Sequence, residues 1–198
     1  EITYGQTLAD VTLNSASAVS NVPGTYAFVN TTIAPDAGIY SAEVTFTPND
    51  GLNYESITGT VDVTVNPASS SVTVWPVAAN AITYGQTLAG VTINAAAAET
   101  SVPGTFAFLN SAIVPDAGIY VADVVFTPTS TNFATTQGTI EVTVNKANST
   151  VTTWPVAGNS ITYGQTLADV TINVAGAATS VPGTFAFANA ALAPYADV

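Results

Sequence analysis

Between residues 38 and 48 apolar and polar side chains alternate: Tyr40, Ala42, Val44 and Phe46 on one side, Ser41, Glu43, Thr45 and Thr47 on the other. A period of two is the mark of a strand with one buried face. The same reading turns Tyr26 and Phe28 inward on an earlier strand. On a later one it turns Val61, Val63 and Val65 inward, with Asp62 and Thr64 outward. Two shorter alternations predict strands at 2–4 and 11–13. Gly5 ends the first, and a glycine there admits a positive φ, so a bulge or a change of sheet is expected. Pro23-Gly24 and Pro35-Asp36-Ala37-Gly38 mark turns, the small polar runs 15–21 and 48–53 mark loops, and Pro67 stops the last strand. No helical period of several turns appears.

The scheme then starts again. ITYGQTL begins at Ile2, Ile82 and Ile161, at spacings of 82 − 2 = 80 and 161 − 82 = 79 residues, and VPGT(Y/F)AF keeps step from Val22, Val102 and Val181. Residues 71–113 and 150–192 agree at 32 of 43 aligned positions, which sets aside a chance echo. The chain is therefore read as repeat 1 (1–66), repeat 2 (67–145) and repeat 3 (146–198), each complete repeat being large enough for a modest core of its own. Repeat 1 lacks the leading strand that repeats 2 and 3 carry at 72–75 and 151–154. Repeat 3 stops early, and its turn departs from the others, with Tyr195 in place of Asp36 and Asp116 and Asp197 in place of the glycine. The junctions, Asn66-Pro67-Ala68 and Asn145-Lys146-Ala147, are short, so neighbouring repeats are expected to sit close with limited freedom. Six or seven short strands per repeat, separated by Gly/Pro turns, suggest a β-sandwich, with another compact antiparallel β-fold as the alternative.

Composition narrows the function. Thirteen acids face one base, Lys146, for a net charge of −12, which argues against nucleic acid and anionic membrane surfaces as partners. The 47% hydrophobic content argues against a disordered chain. No apolar stretch is long enough to insert into a membrane as a helix. With neither histidine nor cysteine, Ser-His-Asp and Cys-His catalysis and the usual zinc sites are excluded. The glycine-rich loop and lysine of phosphoryl transfer are also missing. Carboxylates alone remain, and a catalytic pair duplicated in every repeat is not the pattern of an enzyme.

The carboxylates supply the one metal candidate. Glu43 and Asp62 point outward from the last two strands of repeat 1, and Asp123 and Glu141 recur in repeat 2, so each pair is a candidate Ca²⁺ site. The plain alternative is a solvated face that keeps a lightly charged protein soluble. Asp36 and Asp116 are expected to cap their own turns. Trp75 and Trp154 each precede a proline near a junction. Alternation with Val72 and Val74 turns Trp75 away from the core, so both indoles are expected to pack between repeats, with sugar stacking as the rival. The tyrosines at 4, 84 and 163 are expected in the core. Asn30-Thr31-Thr32 and Asn148-Ser149-Thr150 match the N-glycosylation pattern, making Asn30 and Asn148 candidate acceptors.

The opening Tyr-Gly-Gln-Thr-Leu, the central Pro-Gly-Thr-aromatic-Ala-Phe and the closing Gly-Ile-Tyr-x-Ala-x-Val-x-Phe-Thr-Pro resemble bacterial Ig-like repeats. So do Asn53-Tyr54 and Asn132-Phe133, each followed by a valine-rich strand. The resemblance is narrower still to the MBG repeats of the Tyr-Gly type found in long bacterial surface proteins. It implies an all-β chain of tandem Ig-like antiparallel β-sandwich modules of about 80 residues. It further implies a non-catalytic stalk or spacer of a secreted or cell-surface adhesin, with no cofactor and with neighbouring modules as the partners. Two other readings stay open: a subunit of an extracellular filament built by strand complementation between chains, and a carbohydrate-binding module.

Overall fold

The computed structural model describes residues 1–16 and 18–195, so the altered turn residue Asp197 lies outside the described residues. The described residues are all-β, with three short 3₁₀ turns among them, and the chain divides into two compact units, Glu1–Asn145 and Lys146–Val198. Among the described residues no helix is long and apolar enough to cross a membrane.

The first unit holds repeats 1 and 2. Repeat 1 forms one four-stranded sheet from β1 (Ile2–Thr3), β2 (Gly24–Phe28), β3 (Gly38–Pro48) and β4 (Ile57–Asn66), in the order β1-β4-β3-β2. Repeat 2 opens with β5 (Val72–Val74) and β6 (Val77–Ala78), then β7 (Ile82–Thr83), β8 (Ile93–Asn94) and β9 (Glu99–Thr100). It closes with β10 (Gly104–Phe108), β11 (Gly118–Pro128) and β12 (Thr136–Asn145). Its main sheet, β10-β11-β12-β7, repeats the order of the first, while β5–β9 and β6–β8 form two short ribbons. In the second unit β13 (Val151–Thr153) pairs with β16 (Ala178–Thr179), and β14 (Val156–Ala157) with β15 (Ile172–Asn173).

The alternation on 38–48 holds. β3 pairs antiparallel with β4 so that Tyr40 faces Val63 and Ala42 faces Val61, and one face of both strands lines the core. Two expectations change. The opening strand pairs parallel, not antiparallel, with the last strand of its repeat, Ile2 opposite Val65 and Ile82 opposite Val144. Residues 11–13 form no strand in repeat 1; a 3₁₀ turn, Leu8–Asp10, precedes them.

That turn explains the recurring heptapeptide. Ile2 and Ile82 are buried in the sheet, and Gly5, Gly85 and Gly164 sit at φ of 96°, 95° and 92°, where an L side chain is strained. The Gln6 side chain folds back so that its Oε1 accepts the Thr3 N–H at 2.8 Å, and Gln86 does the same for Thr83 at 2.7 Å. The 3₁₀ turn then drops Leu8 and Leu88, both about fully buried, into the core. Leu88 N–H donates to the Ile113 carbonyl at 2.9 Å, pinning the plug to the opposite loop. Each buried leucine contributes about 1.5–3 kcal/mol of transfer free energy. Gly85→Ala, which forces a side chain into this conformation with open space around it, is expected to cost about 1–2 kcal/mol in urea unfolding.

The core of repeat 2 gathers Ile82, Leu88, Val91, Ala122, Val124, Ile140, Val142 and Val144, with Trp75 and Phe108 against its edge. Repeat 1 has a smaller one of Ile2, Leu8, Ala42, Val63 and Val65. Every buried hydrophobic side chain among the described residues precedes Asn145. Lys146, the one basic residue, is exposed at the boundary between the two units. Trypsin is therefore expected to cut once, leaving a resistant fragment of residues 1–146; mass spectrometry of the digest checks this.

Candidate inter-repeat joint

Within the first unit the structure brings residues of repeat 1 and repeat 2 together at one joint. The linker is stitched to both sides. Tyr4 N–H donates to the Asn66 carbonyl at 2.8 Å, at the end of β4. Past Pro67, Ala68 bridges to Phe133: its N–H donates to the Asn132 carbonyl, and its carbonyl accepts the Ala134 N–H, both at 2.8 Å. Ser70 is buried and its hydroxyl donates to the Ala134 carbonyl at 2.7 Å, while the Thr136 hydroxyl donates back to the Ser70 carbonyl at 2.8 Å. No buried polar side-chain atom among the described residues is left without a partner.

The stretch that holds the linker also grips repeat 1. The Asn132 side chain accepts the Ala37 N–H through Oδ1 at 2.7 Å and donates through Nδ2 to the Asp36 carboxylate at 2.8 Å. Both halves of one amide are used by one turn, and the carboxylate makes the second bond charge-assisted. Beside it the Phe133 ring meets Tyr4 edge to face, centroids 5.5 Å apart at 74°. Such a pair is worth about 0.5–1.5 kcal/mol beyond its area. Two directed bonds and an aromatic contact, next to a linker bonded on both sides, leave repeat 1 little room to turn against repeat 2.

The chain matches no family model and no curated protein sequence. The joint is accordingly read from its own geometry. Asp36 does not simply cap its turn; its carboxylate reaches across to Asn132. Tyr4 packs against the repeat 1 core and also forms the joint, while Tyr84 and Tyr163 are exposed, so the expected core position holds for neither of these two. Sequence reasoning passed over Asn132 as a joint residue. The signal was present in the recurrence of Asn53-Tyr54 and Asn132-Phe133, but an Asn-aromatic pair in a polar loop does not reveal what it faces.

Trp75 is not at the junction. Its ring lies inside repeat 2, 5.9 Å from Phe106 and over Gly138, where an added Cβ would stand 2.3 Å from the indole. The cause is a register shift between Val72 and Val74 against β9, a bulge that breaks the alternation and turns the indole inward. Trp154 shows the same pairing, 6.0 Å from Phe185, beside a like irregularity in β13, and is 70% exposed.

The remaining candidates fall apart from the joint and from one another. In the β3–β4 register Glu43 stands opposite Thr60 and Asp62 opposite Ser41, so the two carboxylates are diagonal neighbours. Asp123 opposite Thr139 and Glu141 opposite Val121 repeat this arrangement. Diagonal neighbours across a strand pair lie about 7–8 Å apart, with their Cβ atoms somewhat closer. All four residues are exposed, and among the described residues no group of three potential ligands gathers. The Asn30 Oδ1 accepts both the backbone N–H and the hydroxyl of Thr32, at 2.9 and 2.8 Å. Asn110 and Asn189 make the corresponding turn with Ala112 and Ala191, where no acceptor triplet exists, so turn formation accounts for this asparagine. Asn148 is exposed just after the boundary of the two units.

Proposed function

We propose that this chain is a non-catalytic spacer: a run of Ig-like β-sandwich modules in the stalk of a secreted or cell-surface bacterial adhesin. The observation that carries the reading is the Asp36/Ala37–Asn132 clamp with its Tyr4–Phe133 partner. A flexible string of domains has no use for directed bonds between one module's turn and the next module's loop. A spacer that must hold its reach does, because each fixed joint keeps successive modules from folding back on one another. The extracellular setting and the absence of catalysis follow from the resemblance and from a side-chain inventory without histidine or cysteine. The acidic, base-poor surface fits a protein that keeps clear of anionic cell surfaces.

The chain has no cysteine, so two introduced cysteines take spin labels at defined places. Labels at the exposed positions Glu43 and Asp123 are expected to give a narrow distance distribution by pulsed electron resonance. In Asn132→Ala the clamp loses both hydrogen bonds, about 1–3 kcal/mol together, and the distribution is expected to broaden while each repeat stays folded. A broad distribution in the unmodified protein would remove the basis for a stiff spacer.

A further inference from the structure

Repeat 2 holds its chain twice against a single strand. Coming in from Pro67, residues 68–70 run parallel to the residues that lead into β12. Ala68 bridges Phe133 there, and the buried Ser70 adds its bonds with Ala134 and Thr136. Farther on, β7 runs parallel to the other end of β12, with Ile82 opposite Val144 and Thr83 opposite Asn145. The Tyr84 N–H closes this pairing on the Asn145 carbonyl at 2.8 Å, and Asn145 is where β12 ends. Repeat 1 has the same closure, Tyr4 on Asn66, and only Pro67 separates Asn66 from Ala68. A proline there has no N–H to lose and a fixed φ, so little slack separates one pairing from the next.

Strand direction decides how these bonds meet a pull along the chain. Tension draws the entry segment and β7 back toward repeat 1, and draws β12 forward, out of the repeat. Because the partners are parallel, each slides along the other, and the bonds that run between them are strained together. None breaks before its neighbours are also close to breaking. Two antiparallel strands pulled apart at adjacent ends open instead one bond at a time. The chain is also anchored just past β7. Leu88 is buried, and the Leu88 and Ala89 N–H groups donate to the Ile113 and Ser111 carbonyls, both at 2.9 Å. β7 cannot slide far without drawing that leucine out of the core.

We propose that repeat 2 is built to carry tension along the chain, with β12 as the strand that transmits it and residues 68–70 and 82–84 as two latches in succession. The entry segment takes the pull first. Once it yields, the pull falls on β7 in the same direction. Resistance to stretching is thereby added to the stiffness of the spacer described above, and the proposal rests on that reading for the source of the load. The latches are contacts within repeat 2, whereas the spin labels report the joint between repeats, so either reading can fail without the other. Forced unfolding follows the barrier to unfolding rather than equilibrium stability, so a direct mechanical measurement is the one that bears on it.

Single-molecule stretching of the whole chain tests this, with handles on introduced cysteines, since the chain has none of its own. Ala81→Cys with Lys146→Cys pulls β7 along β12. Ala117→Cys with Lys146→Cys pulls across the adjacent ends of β11 and β12, where Gly118 stands opposite Val144. All three positions are exposed. At one loading rate the first pair is expected to give way at a several-fold higher force than the second. Pro67→Cys with Lys146→Cys follows the path of the chain and is expected to hold at least as much as the first pair. Tyr84→Pro removes the N–H that closes the inner latch, and the strand residue Thr83 before it already has the extended backbone a proline requires. It is expected to lower the first force and leave the second unchanged, while Tyr84→Ala, which keeps the N–H, is expected to change neither. Equal forces along and across the strands overturn the proposal. So does a Tyr84→Pro loss that is equal in both directions or matched by Tyr84→Ala, and so do handles at 67 and 146 that fail below the first pair. Should Tyr84→Pro not fold, the comparison of directions in the otherwise unmodified chain still decides.

Discussion

Trp75→Ala is expected to lower the stability of the first unit by about 3–5 kcal/mol, whereas Trp154→Ala is expected to change stability by less than about 1 kcal/mol. The two residues open the same Trp-Pro sequence and pair with equivalent phenylalanines at 5.9 and 6.0 Å, so the contrast cannot come from the aromatic pair. It comes from what lies beneath. Trp75 is packed on the Gly138 backbone and the repeat 2 core, and removing it leaves a hole that the strands on either side are too rigidly paired to close. Trp154 is 70% exposed, so its removal opens little buried space. Urea unfolding of the two variants, followed by far-ultraviolet circular dichroism so that loss of the fluorophore does not matter, measures both. Equal losses would mean that Trp75 is not held by the repeat 2 core.

Gly104→Ala is expected to cost about 3 kcal/mol. A methyl group there would stand 2.5 Å from two carbons of the Phe126 ring and 2.5 Å from the Thr127 carbonyl oxygen. The ring is fully buried and the oxygen belongs to the paired β10–β11 backbone, so neither moves aside freely. Overpacking of this kind forces strand or ring displacement, at about 1–3 kcal/mol or somewhat more. Gly24→Ala meets Phe46 and Thr47 at the same distances in repeat 1, but Phe46 is only half-buried beside an open groove, and its ring has somewhere to go. The loss is expected to be smaller by about 1 kcal/mol. Thermal unfolding of the matched pair would show the difference; a larger loss for Gly24→Ala would contradict the open groove.

These two expectations share a cause with the joint. In each, residues alike in sequence behave differently because of what a distant part of the chain places against them. Asn53-Tyr54 and Asn132-Phe133 are near-identical pairs, yet only the second is found against another repeat, where Asn132 meets Asp36 across 96 residues. The first bonds locally, Asn53 to Asp50 at 2.8 Å. A local reading assigns both to polar loops, which is correct for their backbone and silent on their partners.

What the amino-acid sequence determined by itself was the strand content, the positions of the long strands, the turns, and the recurrence of one plan. Alternation over 38–48 and 57–66 is a local property, and a pleated backbone converts it directly into a buried face and an exposed one. Gly5 could likewise be assigned a positive φ, because that requirement acts within one residue. Only the tertiary structure decided the parallel pairing of the opening strand, the inward turn of Trp75 and the clamp on Asp36. The first depends on which strand edge is left free. The second follows from one bulge residue that shifts the register and reverses the side-chain alternation, and the third from two surface turns meeting across the linker. Each is a relation between segments far apart in the chain, set by packing and backbone hydrogen bonding, and no periodicity within either segment encodes it.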